Sequence, residues 1–186
     1  MRCASCSRTG ARTLAEVRVL RRDDDRSRFR SGNADLDRFF SRYAGQNQFR
    51  HHLGVTYVAV EGADVVGFAT VAASQVEIAE LPDDDRRRFP RYPLPVLRLA
   101  RLAVDEQVRG QGVGRVLLRT VFALAHEMSG TVGCVGVVVD AKPGAVAFYE
   151  RLGFRAMTPR AGTLGDRPEP LTMYLHLSAV PKPNGP

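Results

Sequence analysis

The sequence is poor in lysine and contains no long hydrophobic run, and each shortage excludes a class of protein. Lysine occurs only as Lys142 and Lys182 among the 27 basic residues, so arginine carries almost all of the positive charge. No apolar run approaches the roughly 20 residues that a membrane-spanning helix needs. The basic N-terminus lacks the apolar segment of a secretory signal peptide. We therefore expect a cytoplasmic protein.

Cysteine is scarce as well. The three cysteines, Cys3, Cys6 and Cys134, do not make a disulfide framework. Cys3 and Cys6 have the spacing of zinc ligands, but no second pair follows and no histidine is nearby, so no metal site is expected. Cys134 opens an apolar stretch, which predicts a position in the core.

Length and charge indicate the number of domains and the kind of partner. The 186 residues suit one domain, which we place at 14–178 between disordered tails at 1–13 and 179–186. The formal net charge is +7. Because the planar guanidinium of arginine pairs bidentately with phosphate, this charge favours polyanions such as coenzyme A or RNA. A compositional bias of the source genome explains the arginine content equally well.

A strand, a glycine-rich turn and a helix are predicted in succession from Val96 onward. Val, Leu and Ala dominate Val96–Val104, as in a mostly buried strand. Apolar residues then recur at helical spacing as far as Ala125. The turn between them, Arg109–Gly114, has glycines that let a ligand approach the unpaired first amides of the helix. Such a terminus favours anions, and phosphates above all.

The rest of the chain alternates short strands with helices. Further strands are predicted at Ala15–Leu20, Val55–Glu61, Val65–Ile78, Gly133–Asp140, Phe154–Met157 and Leu171–Leu177. Further helices are predicted at Ala34–Ala44, with Asn33 as its cap, at Gln46–His52 and at Asp140–Arg151. A long polar loop at 80–95 is either functional or a solvated connector.

Arg98 and Arg101 lie three residues apart in the predicted central strand. In a regular strand they point to opposite faces of the sheet, so at least one is buried. A β-bulge between them would instead re-aim one side chain and leave backbone groups unpaired.

Two motifs resemble those of a known family. The turn fits Arg-x-x-Gly-x-Gly at Arg109, Gly112 and Gly114, and it fits neither the dinucleotide fingerprint nor the nucleoside-triphosphate loop. It resembles the acyl-coenzyme A pyrophosphate loop of the GNAT superfamily of N-acetyltransferases. The run 145–154, which contains Phe-Tyr and ends in Gly-Phe, is similar to the second GNAT signature. The resemblance implies an α/β (α+β) GNAT fold, with a mixed, mostly antiparallel sheet of six to seven strands that is flanked by helices and splayed between the fourth and fifth strands.

The resemblance also implies the roles of particular residues. Tyr149 matches the general acid that protonates the departing thiolate of coenzyme A, and no general base is evident. Acetyl-coenzyme A is the implied acetyl donor, with no metal. The residues implied to bind it are Leu102, Ala103 and Val104 on a bulged strand, and Arg109, Gly110, Gln111, Gly112, Val113, Gly114 and Arg115 at the turn.

A narrower resemblance is to the GNAT toxins of toxin–antitoxin pairs, of the TacT and AtaT kind. It is carried by Phe29–Leu36, Val55–Val58, the prolines around Tyr92 and Arg101–Asp105. Such enzymes acetylate the α-amino group of aminoacyl-tRNA and so block translation. The resemblance implies a homodimer held by a small ribbon–helix–helix antitoxin. The arginines expected to contact tRNA phosphates are Arg30, Arg86, Arg87, Arg88 and Arg91.

Two other functions stay open at this point. The first is a GNAT enzyme that acetylates a small amine or a protein N-terminus. The second is a non-catalytic domain that binds acyl-coenzyme A or RNA, although the presence of Gly112, Gly114 and Tyr149 argues against it.

Overall fold

The computed structural model describes residues 15–158 and 170–182. The predicted N-terminal tail, with Cys3 and Cys6, lies outside the described residues. The strands within them are β1 (Glu16–Val19), β2 (Val55–Glu61), β3 (Asp64–Val76), β4 (Leu94–Val104), β5 (Gly136–Ala141), β6 (Arg155–Ala156) and β7 (Leu171–His176). The described strands form one sheet in the order β1-β2-β3-β4-β5-β7-β6. Every pair is antiparallel except β4 with β5.

Five α-helices accompany the sheet in the described part of the chain. They are α1 (Ala34–Arg38), α2 (Ala44–Phe49), α3 (Asp83–Arg86), α4 (Val113–Thr131) and α5 (Val146–Glu150). A π-helical turn (Phe39–Tyr43) joins α1 to α2. Among the described helices, none is both long and apolar enough to cross a membrane.

The core lies on both faces of the sheet. On one face, here called the α4 face, Leu97 of β4 packs with Leu117 of α4 and Tyr149 of α5. The opposite face is covered in two places. The helical segment 34–49 covers one place with residues such as Phe40, and the segment before β4 covers the other with residues such as Leu81.

β4 and β5 pair over a short stretch and then separate. The registered pairs are Leu97 with Val137, Arg98 with Val138 and Leu99 with Val139. On its other side, β4 carries an extra residue, Ala100, because Leu99 faces Val71 while Arg101 faces Thr70. This β-bulge falls where the two strands separate. The splay predicted between the fourth and fifth strands is therefore present, and the mixed sheet of the GNAT fold is confirmed.

The bulge also decides between the two arrangements that the sequence allows for Arg98 and Arg101. Leu99 packs on the α4 face, so the adjacent Arg98 points to the opposite face. Arg101 lies on that same opposite face, with its Cζ 3.8 Å from the ring centroid of Phe39. Both guanidiniums thus stay partly in solvent, and neither is sealed in the core.

Tertiary contacts correct two predicted boundaries. The helices predicted at 34–44 and 46–52 form one nearly continuous helical segment that ends at Phe49. Its predicted cap is confirmed, since the Oδ1 of Asn33 accepts the amide of Leu36 at 3.2 Å. The helix predicted from Asp140 begins later, at Val146, because Asp140 still pairs with β7.

Three further predictions need correction. The polar loop at 80–95 contains α3 and the first two residues of β4. Cys134 is buried as predicted, but it precedes β5, which starts at Gly136. The chain also continues to pack beyond the predicted domain boundary at 178, since Val180 is 3% exposed and contacts the core of the α4 face.

Two Gly→Ala substitutions test the packing between β5 and β7. A Cβ atom at Gly136 would overlap the carbonyl oxygen of Leu175 and lie 2.6 Å from Cε2 of Tyr174. We expect Gly136→Ala to lower the free energy of unfolding by about 1–3 kcal/mol, measured by urea denaturation. Gly130→Ala is the matched control, because among the described residues nothing beyond the adjacent residues and the helix's own backbone lies within 4 Å of its Cβ position on α4. It should raise stability by up to about 1 kcal/mol. Equal effects at both positions would contradict this account.

Candidate active site

The glycine-rich turn presents unpaired backbone amides at the N-terminus of α4. Within the described residues, the amides of Gly112, Val113 and Gly114 have no hydrogen-bond acceptor. Gly110 and Gly112 adopt φ values of 75° and 91°, a left-handed conformation that favours glycine. Apart from the adjacent residues, no atom of the described part of the chain lies within 4 Å of a Cβ placed at either glycine, so the described structure leaves the space above the turn open. This arrangement fits a diphosphate group.

The two arginines near the turn, Arg109 and Arg115, differ in whether their side chains are held by other residues. The guanidinium of Arg109 donates to the carbonyl of Ser31, so this predicted cofactor ligand is tied to the preceding loop. Arg115 is exposed on the first turn of α4. The predicted ligand Gln111 is also exposed, and its side chain donates to the carbonyl of Gln107 at 3.4 Å.

The loop 29–33 braces this turn from the side. The amide of Arg30 donates to the carboxylate of Asp105 at 2.9 Å, and the amide of Glu106 donates to the carbonyl of Arg30 at 2.8 Å. Asp105 is buried and also accepts the amide of Gln107 at 3.0 Å. These bonds fix the start of the turn with respect to β4. They also use the backbone of Arg30, whose guanidinium donates to the carbonyl of Ser27 at 2.8 Å.

The end of β4 offers a free edge. Leu102, Ala103 and Val104 pair with β3, but among the described residues no strand pairs with their other side. Leu102 and Val104 are half-buried on the α4 face, while Ala103 is buried on the opposite face. Backbone groups on this edge are therefore available to a ligand, and binding of coenzyme A by these three residues stays a prediction.

Tyr149 is a buried phenol whose hydroxyl has no hydrogen-bond partner among the described residues. The residue is 5% exposed, and its ring makes edge contacts with Phe148 and Phe154 at centroid distances of 5.2 and 5.4 Å. Within the described residues its hydroxyl makes no hydrogen bond, yet it is not sealed from solvent. Burial raises the pKa of Tyr149 to about 12. The hydroxyl therefore keeps its proton at neutral pH and can donate it.

The topology brings the turn and Tyr149 to the same edge of the sheet. β4 and β5 run parallel, so their carboxyl ends meet at one edge. The turn follows β4, and α5, which carries Tyr149, follows β5. The free edge of β4 lies between them.

A cavity of about 550 Å³ lies beside the bulge, and the sequence did not indicate it. Its lining residues are Asp35, Leu36, Arg38, Phe39, Tyr43, Ala100, Arg101, Asp140, Lys142 and Pro170. Its lining residue Asp140 is held by two neighbours: Arg98 Nη1 contacts Asp140 Oδ2 at 2.6 Å, and the hydroxyl of Thr172 donates to Asp140 Oδ1 at 2.9 Å. A polar residue near the carboxyl end of a valine-rich parallel strand is a signal that could have pointed to Asp140.

The arginines predicted to contact tRNA occupy two separate regions. Arg30 lies beside Asp105, just beyond the carboxyl end of β4. The others precede the amino end of β4, where Arg86 is held by the carbonyl of Leu81 at 2.7 Å while Arg87, Arg88 and Arg91 are exposed. Since β4 has 11 residues, roughly 35 Å of strand separates the two regions. They do not form one continuous patch.

Comparison with known proteins agrees with this geometry. The model of the acetyltransferase (GNAT) domain family matches residues 52–156. A tRNA-acetylating toxin of Mycobacterium tuberculosis is 34% identical over 134 residues, covering 70% of this chain and 78% of the relative. A structure of AtaT complexed with acetyl-methionyl-tRNAfMet aligns with a TM-score of 0.77 at 24% identity, covering 89% of this chain and 96% of that one.

A second solved structure is a variant of AtaT bound to the C-terminus of the antitoxin AtaR and to acetyl-CoA. It aligns with a TM-score of 0.70 at 23% identity, covering 89% of this chain and 94% of that one. The family match includes the turn, the bulged strand and the helix of Tyr149. The chain belongs to the GNAT family of N-acetyltransferases.

Proposed function

We propose that this enzyme transfers an acetyl group from acetyl-CoA to the α-amino group of aminoacyl-tRNA and acts as a toxin that blocks translation. The observation that carries the proposal is the 34% identity to a tRNA-acetylating toxin over 70% of the chain. The net charge of +7 supports a polyanionic substrate.

The turn and the free edge of β4 are the proposed donor site. The amides of Gly112, Val113 and Gly114 would hold the diphosphate of acetyl-CoA, and Arg115 would add positive charge there. The free edge at 102–104 would pair with the amide-containing arm of the same molecule. When bound, acetyl-CoA supplies an activated acetyl thioester. A backbone amide near Val104 would polarise its carbonyl, as donors in an oxyanion hole do.

Tyr149 is the proposed general acid. Its hydroxyl is protonated at neutral pH because burial raises its pKa to about 12, and the described residues offer it no competing acceptor. It would give its proton to the sulfur as the acceptor nitrogen bonds to the acetyl carbon. The raised pKa ensures that the hydroxyl still carries its proton when the reaction begins.

The partners follow the narrower resemblance. We propose that the enzyme is a cytoplasmic homodimer held by a small ribbon–helix–helix antitoxin. The complex of AtaT with the C-terminus of its antitoxin supports the antitoxin partner. Arg86, Arg87, Arg88 and Arg91 stay the proposed tRNA contacts on one side of the site, and Arg30 on the other. Because the two regions are far apart, they would contact different parts of a tRNA.

The first test is the reaction itself. We expect purified enzyme to transfer label from radiolabelled acetyl-CoA to a pool of charged tRNAs and not to uncharged tRNA. The transfer is measured as radioactivity in precipitated RNA. Mild alkali, which cleaves the aminoacyl ester, should release this radioactivity together with the amino acid. Intact coenzyme A binding without any label in charged tRNA would contradict the tRNA substrate and favour a small-molecule or protein acceptor.

Tyr149→Phe tests the acid. We expect kcat to fall about 100-fold, because the proton donor is lost. The melting temperature should stay constant, since the hydroxyl makes no hydrogen bond within the described residues. Tyr174→Phe is the matched control, because it removes a hydroxyl that donates to the carbonyl of Val135 at 2.9 Å. That variant should melt earlier and keep its kcat, and a Tyr149→Phe enzyme as fast as the parent would refute the assignment.

The pH profile tests the raised pKa of Tyr149. An ordinary tyrosine, with a pKa of about 10, would ionise and stop donating as the pH approaches 10. Because the pKa of Tyr149 is raised to about 12, the proton is retained through that range. We therefore expect kcat to rise as the acceptor amine deprotonates near pH 8 and to stay level up to about pH 10. The pH profile is measured as single-turnover rates of acetyl transfer, which are complete before the aminoacyl ester hydrolyses. A decline in this rate that begins below pH 9.5 would contradict the prediction.

A further inference from the structure

Asp140 stands at the mouth of the gap between β4 and β5. Val139 forms the last registered pair with Leu99, and the following residue of β4 is the bulged Ala100. Val139 packs on the α4 face, so the next residue, Asp140, points to the opposite face. Its carboxylate therefore lies on the cavity side of the point where the strands separate.

The carboxylate is oriented but not saturated. Arg98 Nη1 lies 2.6 Å from its Oδ2, and the hydroxyl of Thr172 lies 2.9 Å from its Oδ1. The three residues come from three neighbouring strands, β4, β5 and β7, so the side chain is held in place. An ionised carboxylate accepts about four hydrogen bonds, which leaves capacity for a further donor. The side chain is 35% exposed, so that donor can reach it from the cavity.

The charges around the cavity indicate what kind of amine fits it. Asp140 is half-buried, whereas the cations at the rim, Arg38, Arg101 and Lys142, are exposed. The exposed Asp35 at the rim pairs with Arg38, which leaves Arg101 and Lys142 as the excess positive charge. A polyamine would be repelled by this excess before it reached Asp140. An amino acid esterified to a nucleotide suits the arrangement, because its amine can enter while the nearby phosphate stays among the cations.

Resting on the proposed function, we infer that Asp140 binds the α-amino group of the aminoacyl acceptor and accepts its proton. The nitrogen forms a bond to the acetyl carbon as the carbon–sulfur bond breaks. One N–H proton passes to the carboxylate of Asp140, and the hydroxyl proton of Tyr149 passes to the sulfur. Solvent then carries the proton from Asp140 back to Tyr149, which restores both groups. A carboxylate suffices as the base because the nitrogen becomes strongly acidic once it is bonded to the carbonyl carbon.

Asp140→Asn and Asp35→Asn form a matched pair of variants. Both remove a carboxylate that lines the cavity. The Asp35 carboxylate is 71% exposed and pairs with Arg38 on the same helix at 2.8 Å, away from the strand gap. Asparagine at 140 can still accept a hydrogen bond, and unchanged affinity for coenzyme A will show that the fold is kept.

The binding test compares charged with uncharged tRNA in the presence of coenzyme A, so that no transfer occurs. The probe is the tRNA that the parent acetylates, carrying its amino acid through a stable 3′-amide. We expect the parent to bind it about 10-fold more tightly than the uncharged tRNA, since a charged hydrogen bond forms only with the amine. The ratio should fall to near one in Asp140→Asn and persist in Asp35→Asn. If Asp140 had a purely structural role, Asp140→Asn would weaken the binding of charged and uncharged tRNA equally.

The kinetic test uses acetyl-CoA and the natural ester. We expect Asp140→Asn to lower kcat about 100-fold, because the proton acceptor is lost, and Asp35→Asn to stay within about threefold. If Asp140→Asn does not fold, Asp140→Glu decides: it should keep the charged-to-uncharged ratio while kcat falls about 10-fold, because the carboxylate is displaced. Loss of the ratio or an unchanged kcat in that variant would overturn the inference.

The outcomes separate this inference from the proposed function. If the parent acetylates aminoacyl-tRNA and Asp140→Asn retains both its rate and its preference for charged tRNA, the role of Asp140 is refuted and the function stands. If the parent acetylates no charged tRNA, the proposed function fails, and the inference about Asp140 fails with it.

Discussion

The short pairing of β4 with β5 is the constraint on which the rest of the site depends. Three registered pairs hold the strands together, and the extra residue Ala100 coincides with their separation. Had the pairing continued, the backbone groups at 102–104 would be satisfied within the sheet and unavailable to a ligand. The ends of these two strands also fix the positions of the glycine turn, which follows β4, and of α5, which follows β5.

The residues proposed for the two substrates approach the gap between β4 and β5 from opposite faces of the sheet. α4 with its unpaired amides and the ring of Tyr149 belong to one face, while the cavity with Asp140 and its rim of cations belongs to the other. The loop 29–33 touches both sides. Its Ser31 carbonyl accepts the guanidinium of Arg109 at the turn, and its Asn33 side chain accepts Lys142 Nζ at the cavity at 3.2 Å.

Local chemistry explains which features were predictable from the sequence. Gly110 and Gly112 were predictable because a left-handed backbone conformation favours glycine at that one position, whatever the rest of the fold. Patterns of apolar residues predicted most of the strands. The ion pair of Arg98 with Asp140 joins residues 42 positions apart, so it depends on strand register, which no local pattern specifies. For the same reason the sequence left Asp140 shared between the end of a predicted strand and the start of a predicted helix, whereas pairing with β7 keeps it in β5. The roles of Tyr149 and of the tRNA-contacting arginines stay predictions.

The placement of the two sites on opposite faces has a consequence for kinetic order. On the proposed roles, neither substrate passes through the entrance of the other, so either can arrive first and either product can leave first. Such an enzyme works through a ternary complex with random addition. Its double-reciprocal plots would intersect rather than run parallel, and excess of one substrate would not exclude the other.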